Sequence, residues 1–221
     1  GTLNSTPFWL HPKAAPLYEL FTQRELAVVH ACGLASGTRS HFDAMDFLER
    51  GIPNDRTSGH GWLARPLGLV SPPGSIPAVS AGAGLAKSLW GDDAAVAYTD
   101  VLNFKLPGGS SSTATLQRHA LNAIYANDES VIGPAVRRML AAMQSIQQRE
   151  PEEYNPDVDY PPENNVRGFT DALKAIAHTI KLDVGLEVAT VDFGGWDTHE
   201  GQNYFLPLLI DGFARSLHAF Y

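Results

Sequence analysis

The chain has 221 residues, of which 44% are hydrophobic and 18% are charged, a balance typical of a globular protein and not of a disordered or collagen-like chain. Its 16 basic and 24 acidic residues give a net charge of −8, which argues against a nucleic-acid-binding protein, because affinity for nucleic acids comes from neutralising phosphates. The single cysteine, Cys32, excludes an internal disulfide framework and a cysteine-based zinc cluster, and no apolar run approaches the roughly 20 residues of a membrane span.

The first quarter of the chain predicts a helix, a strand and a second helix. Apolar spacing predicts a short helix over residues 14–21, and the β-branched run over 26–31 predicts a buried strand with His30 as a core residue. Residues 41–50 predict a helix that ends at Gly51. The apolar face of this helix is predicted to contain Phe42, Met45 and Leu48.

The rest of the chain alternates helices with apolar strands. Residues 150–165 hold six acids, four prolines and no base, which predicts a solvated connector. The other predicted elements are strands over 76–80 and 94–99, helices over 113–126, 131–149 and 166–182, a strand over 186–192 and a final helix over 205–221. This alternation predicts an α/β fold with a largely parallel sheet. Because the strands are few and the chain starts in a loop and stops in mid-helix, we expect a single domain over 1–221 that is truncated at both ends.

In parallel α/β sheets ligands bind at the carboxyl ends of the strands, which directs attention to the loops over 33–41 and 193–203. In the first loop Ser40 stands at a helix start, where free N–H groups favour an anion, and Arg39 carries forked donors suited to phosphate or sulfate oxygens. The Ser40 hydroxyl is a candidate nucleophile, provided that a metal or a base activates it. The alternative is structural, because Ser40 followed by Asp43 also fits a helix N-cap.

The loop over 193–203 contains the stronger signal. Two glycines precede Asp197 and His199, whose carboxylate and imidazole can point to one divalent cation. Asp192 and Gln202 are near enough in sequence to add a ligand or a hydrogen bond to a ligand. The alternative is an Asp–His hydrogen bond that only closes the turn, since two ligands do not complete a tetrahedral zinc site.

Several segments together resemble a bacterial family known as domain of unknown function 1501. They are LHP at 10–12, LAVVHACG at 26–33, RSHFDAMDFLERG at 39–51, GWLARPL at 61–67 and VDFGGWDTHEGQ at 191–202. Their order and spacing match that family across nearly the whole chain, and the RSHF and GGWDTH elements are specific. The family is similar to the alkaline phosphatases and sulfatases, metal-dependent hydrolases with a three-layer α/β sandwich. The Cys/Ser-x-Pro-x-Arg pattern of formylglycine sulfatases does not occur at Ser40.

The resemblance implies a role for each matching residue. It implies that Ser40 is the nucleophile and that part of the metal set is supplied by Asp197 and His199. Beside Ser40, Arg39 and His41 are the candidate substrate-binding residues. The implied cofactor is a divalent metal ion (zinc, calcium or magnesium), and the implied substrate is a small anionic phosphate or sulfate ester. No contact with nucleic acid and no membrane span are expected.

The resemblance also bears on location and completeness. Full-length members are considerably longer and usually carry a twin-arginine export signal, so it implies a periplasmic or otherwise exported protein with further metal ligands outside these 221 residues. The competing hypothesis is a non-catalytic exported protein that keeps the fold for binding or assembly.

Overall fold

The computed structural model describes residues 9–35, 37–70, 76–108, 111–149 and 151–221, which form two compact units. The helical unit contains residues 9–32, 155–174 and 192–221, and the sheet unit contains the described residues of 33–154 together with residues 175–191. The helices are α1 (Ala15–Thr22), α2 (His41–Arg50), α3 (Ala64–Val70), α4 (Ser111–Tyr125), α5 (Ile132–Gln147), α6 (Arg167–Lys181) and α7 (Gln202–Phe220). The strands are β1 (Ala78–Ala81), β2 (Val96–Tyr98) and β3 (Val188–Thr190), and short 3₁₀ turns occupy Pro12–Ala14 and Lys87–Leu89.

A parallel sheet organises the sheet unit, in the order β2-β1-β3. Val79 pairs with Val96 on one side of β1 and with Ala189 on the other, so β1 is the central strand. All four residues of β1 are buried, as expected of a parallel strand covered on both faces. The predicted α/β class is therefore confirmed, with a small parallel sheet.

The two faces of the sheet carry separate apolar clusters. Val79 packs in a cluster that includes Ile146 from α5 and Val184, whereas its neighbour Ala78 packs with Leu67 from α3. Successive side chains of a strand point to opposite faces, so α5 and α3 contribute to opposite sides of β1. Both faces of the strand are thereby removed from water.

Helix α2 begins and ends as predicted but presents a different face. Ser40 is its N-cap, and Gly51 ends it in the left-handed conformation with φ 64°. The predicted apolar face is exposed, with Phe42 at 83% and the other two members above half. Phe47, nearly opposite that face on the helix, is buried, as is Asp46. The prediction of the face is wrong because a buried carboxylate bound to two cations fixes the rotation of the helix.

Those two cations are Arg50 and Lys87. The Asp46 carboxylate accepts a hydrogen bond from Arg50 Nε at 3.0 Å and from Lys87 Nζ at 2.6 Å. The hydrogen bond from Lys87, followed by that from Arg50, lowers the pKa of Asp46 below its usual value. The buried charge is therefore compensated, which is the condition under which a carboxylate is tolerated in a core.

The strand predicted over 26–31 does not form. These residues have no regular secondary structure, Val29 is 73% exposed, and His30 is also exposed instead of lying in the core. Ala31 takes a positive φ of 57°, which interrupts an extended backbone. A β-branched run becomes a strand only where a neighbouring strand pairs with it, and the described residues provide no such pairing for this segment.

The remaining predicted elements agree with the structure within a few residues, although the strand over 186–192 is reduced to β3, whereas helix α3 has no counterpart among the predicted elements. The connector over 150–165, of which residue 150 lies outside the described residues, contains no helix or strand in its described part. It is not solvated throughout, because Tyr160 is buried at 7% exposure. Its ring lies beneath the ammonium group of Lys174, with Nζ 5.4 Å from the ring centroid.

Close packing of α7 defines the helical unit. A side chain at Gly212 would bring its Cβ to 2.1 Å from Cγ1 of Val166, so only glycine fits at this contact. Arg215 pairs with Glu163 at 2.6 Å and with Asp211 at 2.9 Å.

Among the helices of the described residues, none has the length and apolar character needed to cross a membrane.

Candidate functional site

The Ser40 segment is held by hydrogen bonds at the start of α2. Ser40 Oγ accepts from the backbone N–H of Asp43 at 3.3 Å, and the Ser40 N–H donates to Thr38 Oγ1 at 3.2 Å. The Asp43 carboxylate accepts from Thr38 Oγ1 at 3.4 Å and also pairs with Arg56. The predicted N-cap is therefore confirmed, and Ser40 Oγ uses one of its two lone pairs to accept this hydrogen bond.

The cap does not consume the whole hydroxyl group. A serine oxygen has two lone pairs and one O–H donor, so the Ser40 O–H remains available after Oγ has accepted one hydrogen bond. Ser40 is partly exposed, and its neighbours Arg39 and His41 are both exposed. Residue 36 of this loop lies outside the described residues. The predicted location after a strand is wrong, because residues 26–31 are not a strand.

Asp197 and His199 contact each other directly in the helical unit. Nδ1 of His199 lies within hydrogen-bond distance of Oδ1 of Asp197, while the side chains are 77% and 63% exposed. With the proton on Nδ1, the Nε2 lone pair is free for a cation, which is how a carboxylate orients a metal-binding histidine. The same contact is also the turn-closing hydrogen bond of the alternative interpretation.

Two glycines give the loop over 193–203 its path. Gly195 and Gly201 have φ values of 88° and 79°, a region that side chains rarely allow. A Cβ at Gly195 would lie 3.4 Å from Leu209, and one at Gly201 would lie 3.0 Å from the ring of Phe205. The loop therefore folds back onto the first turns of α7, because its two glycines permit both the turn and the close approach.

An aromatic cluster anchors the same loop. The ring of Phe193 stacks 6.0 Å from Phe213 of α7 and lies 4.8 Å from Phe169 of α6. The ring of Trp196 packs edge-to-face against that of Phe193, with centroids 5.4 Å apart, and its indole N–H donates to the Phe193 carbonyl at 2.8 Å. Apolar packing thus fixes the base of a loop whose polar side chains are exposed.

A cavity of about 870 Å³ lies between this loop and α7. Its apolar wall includes Tyr204, Phe205 and Leu208, and the carboxylates of Asp192, Asp197 and Glu200 also line it. Sequence reasoning missed this cavity. The exposed aromatic pair at the start of α7, directly after the glycine-containing loop, is the signal that could have indicated it.

The structure brings together only some of the predicted site residues. Asp197 meets His199, and Asp192 lines the same cavity as Asp197. Ser40 belongs to the sheet unit, and the Asp197–His199 pair belongs to the helical unit. Within the described ranges, no group of three or more His, Cys, Asp or Glu side chains is arranged to hold a metal ion.

Two donors in contact fit part of a metal set, since imidazole and carboxylate both bind zinc, but they do not complete one.

Comparison with known proteins gives no further assignment. No protein-family model matches the chain, and neither a curated protein nor a solved structure was found to be similar to it.

Proposed function

We propose that this chain belongs to a metal-dependent hydrolase of phosphate or sulfate esters with an alkaline-phosphatase-like three-layer sandwich. The observation that carries the proposal is the contact between Asp197 and His199 in an exposed glycine loop after a parallel strand. The RSHF and GGWDTH motifs support it by their resemblance to domain of unknown function 1501. The proposal includes export to the periplasm, which members of that family reach through twin-arginine signals.

In this proposal His199 and Asp197 would hold part of the coordination shell of a divalent ion, with the further ligands that the resemblance implies. When bound, such an ion would supply Lewis-acid chemistry to a phosphate or sulfate ester. Such an ion would also offset an unfavourable charge. The cavity beside Asp197 is lined by three carboxylates, which repel an anionic ester. A divalent cation held by this loop would offset these negative charges, so that an anionic ester could approach.

Ser40 is the proposed nucleophile. It stands at the start of α2, a helix of 10 residues, where backbone N–H groups and the helix dipole favour a negatively charged group. Its O–H is the proton to be released, and its oxygen keeps a second lone pair beyond the one used by the Asp43 N–H. Arg39 and His41 flank it and are proposed to bind the anionic part of the ester.

Metal binding is tested with chelator-treated protein and zinc, measured by calorimetry. We expect His199→Gln and Asp197→Asn each to weaken zinc binding by at least about tenfold, since both remove a donor or its orienting partner. His119→Gln is the matched control, because it removes an exposed imidazole from α4 and should leave the affinity unchanged. Equal zinc affinity in all four proteins would exclude the Asp197–His199 site.

The nucleophile is tested by separating the two roles of Ser40. Ser40→Asn keeps a side-chain cap but removes the hydroxyl, whereas Ser40→Thr keeps both. With aryl phosphate and sulfate esters and metal present, we expect turnover by the full-length wild type and Ser40→Thr but not by Ser40→Asn, at similar thermal stability. Equal turnover in Ser40→Asn would exclude Ser40 as the nucleophile.

The second candidate is a non-catalytic exported binding or assembly protein. It is favoured by the two contacts themselves, because the cap formed by Ser40 and the contact between Asp197 and His199 both also serve the fold. Zinc binding without turnover of any ester by the full-length protein would support this function over the hydrolase.

A further inference from the structure

The cavity beside α7 combines two kinds of wall. On its apolar side, Tyr204, Phe205 and Leu208 are 68%, 50% and 44% exposed, a concentration of uncovered aromatic and aliphatic surface within two turns of one helix. Phe193 adds a ring that is fixed by stacking on Phe213. Aromatic side chains that line a concave site bind flat apolar groups and attract cations to their faces.

On its polar side, the cavity carries charge of one sign. Asp192, Asp197 and Glu200 line it, and the described lining residues include no lysine, arginine or histidine. Within the described part of the chain, Asp192 and Glu200 form no ion pair, and the ion pair of Asp197 is with His199. The cavity is therefore electronegative beside an apolar wall.

We propose that this cavity binds an organic cation, an amine or quaternary ammonium group carried on an apolar or aromatic body. The apolar wall takes the body, and the carboxylates with the aromatic faces take the charge. The volume of about 870 Å³ falls within the range of small-molecule sites, roughly 300–1,000 Å³. A metal ion alone would not cover the apolar wall, and a neutral apolar molecule would not pair with the carboxylates. An organic cation does both.

This inference does not depend on the proposed hydrolase. It shares Asp197 with the proposed metal site but uses neither Ser40 nor a metal ion, and the binding experiment is carried out in chelator so that divalent ions are absent. Failure to bind an organic cation leaves the zinc and turnover experiments unaffected, and their failure leaves this site unaffected.

The probe series shares one apolar body and differs only in its charged group: 3-phenylpropylamine, 3-phenylpropan-1-ol and 3-phenylpropanoate. Binding to the full chain is measured by calorimetry at low ionic strength and by Trp196 fluorescence, since Trp196 contacts the lining residue Phe193. We expect saturable binding in the order amine, alcohol, carboxylate, with the amine at least about tenfold tighter than the alcohol. Added salt should reduce the difference in affinity between the amine and the alcohol and leave the affinity of the alcohol unchanged.

Variants separate the two walls. Asp192→Asn combined with Glu200→Gln should reduce amine binding toward the alcohol value and leave alcohol binding unchanged. Tyr204→Ala should weaken the amine and the alcohol together, because it removes part of the shared apolar wall. Glu187→Gln is the matched control, since it neutralises an exposed carboxylate of the sheet unit and should change neither affinity. Thermal melts confirm that each variant is folded.

Three results would overturn the proposal. Amine and alcohol of equal affinity would show an apolar groove without charge recognition. No saturable binding of any probe would show that the cavity is not a small-molecule site. A dimer in sedimentation that Tyr204→Ala dissociates would show that a second copy of the chain covers this face.

Discussion

The hydroxyl of Tyr98 makes a buried hydrogen bond whose direction follows from its neighbours. Tyr98 on β2 and Thr179 on α6 have exposures of 6% and 0%, and their oxygens lie 2.6 Å apart. Thr179 Oγ1 also donates to the Ala175 carbonyl at 2.7 Å, which uses its only proton. Tyr98 must therefore be the donor and Thr179 the acceptor. The substitution Tyr98→Phe removes this donor and keeps the ring.

At neutral pH the variant loses one hydrogen bond and little packing. The ring of Phe104, 4.9 Å from that of Tyr98, keeps its aromatic neighbour. The net value of a buried hydrogen bond is about 1 kcal/mol, and Thr179 still donates to Ala175. We therefore expect Tyr98→Phe to lower the free energy of unfolding by about 1 kcal/mol at pH 8.

At alkaline pH the order of stability of the wild type and Tyr98→Phe should reverse. Burial raises the pKa of Tyr98 to about 12, against 10.0 for an ordinary tyrosine. The folded pKa is the higher one, so the stabilisation is complete below pH 10 and is lost as the pH rises toward 12. This loss amounts to about 1.4 kcal/mol at pH 11. Phenylalanine does not titrate, so Tyr98→Phe should be at least as stable as the wild type at pH 11.

Urea unfolding followed by circular dichroism, at pH 8 to 11, measures this difference directly. Groups common to both proteins titrate alike and cancel in the comparison. Tyr18→Phe is the control, because this tyrosine is 56% exposed and its substitution should change stability by less than about 0.5 kcal/mol. If the difference between wild type and Tyr98→Phe is the same at pH 8 and pH 11, the buried donor assignment is refuted.

Three further substitutions test other contacts of the fold. Gly212→Ala should destabilise by about 1–3 kcal/mol because its Cβ meets Val166, and adding Val166→Ala should restore part of the loss in urea unfolding. Asp46→Asn should lower the free energy of unfolding by about 2 kcal/mol. The pKa of this carboxyl is lowered in the folded protein, so its stabilisation is lost as the pH falls through the folded pKa. Urea unfolding of Asp46→Asn should therefore lack this loss of stability in acid. Burial, opposed by Asp100, lowers the pKa of His178, so stability should fall as pH drops below 6.5, and melting temperatures of His178→Gln should show a smaller fall. A steeper fall in that variant would contradict the assignment.

Local signals in the sequence were sufficient wherever neighbouring residues determine the structure. Ser40 and Gly51 predicted both ends of α2, because a cap and a left-handed glycine act within one turn of the helix. The strands β1 and β2 were found for a similar reason, since short apolar runs between turn residues indicate buried strands.

Predictions failed where distant residues decide. The segment over 26–31 has the composition of a strand, but composition does not provide a pairing partner. The apolar stripe of α2 faces solvent because Asp46 is held by Lys87, a residue 41 positions later in the chain. No periodicity within the helix reports that contact. The cavity beside α7 was missed for the same reason, since its walls come from three separate segments.

The loop over 193–203 separates its structural residues from its chemical ones. Its shape depends on Gly195, Gly201 and the packing of Trp196, none of which offers a charge or a metal ligand. The side chains of Asp197 and His199 extend from that frame into solvent and contribute little burial of their own. Substituting them should therefore change binding while the loop keeps its conformation, whereas substituting Trp196 should disturb both. For this reason a loss of zinc affinity in Asp197→Asn reports on coordination and not on unfolding.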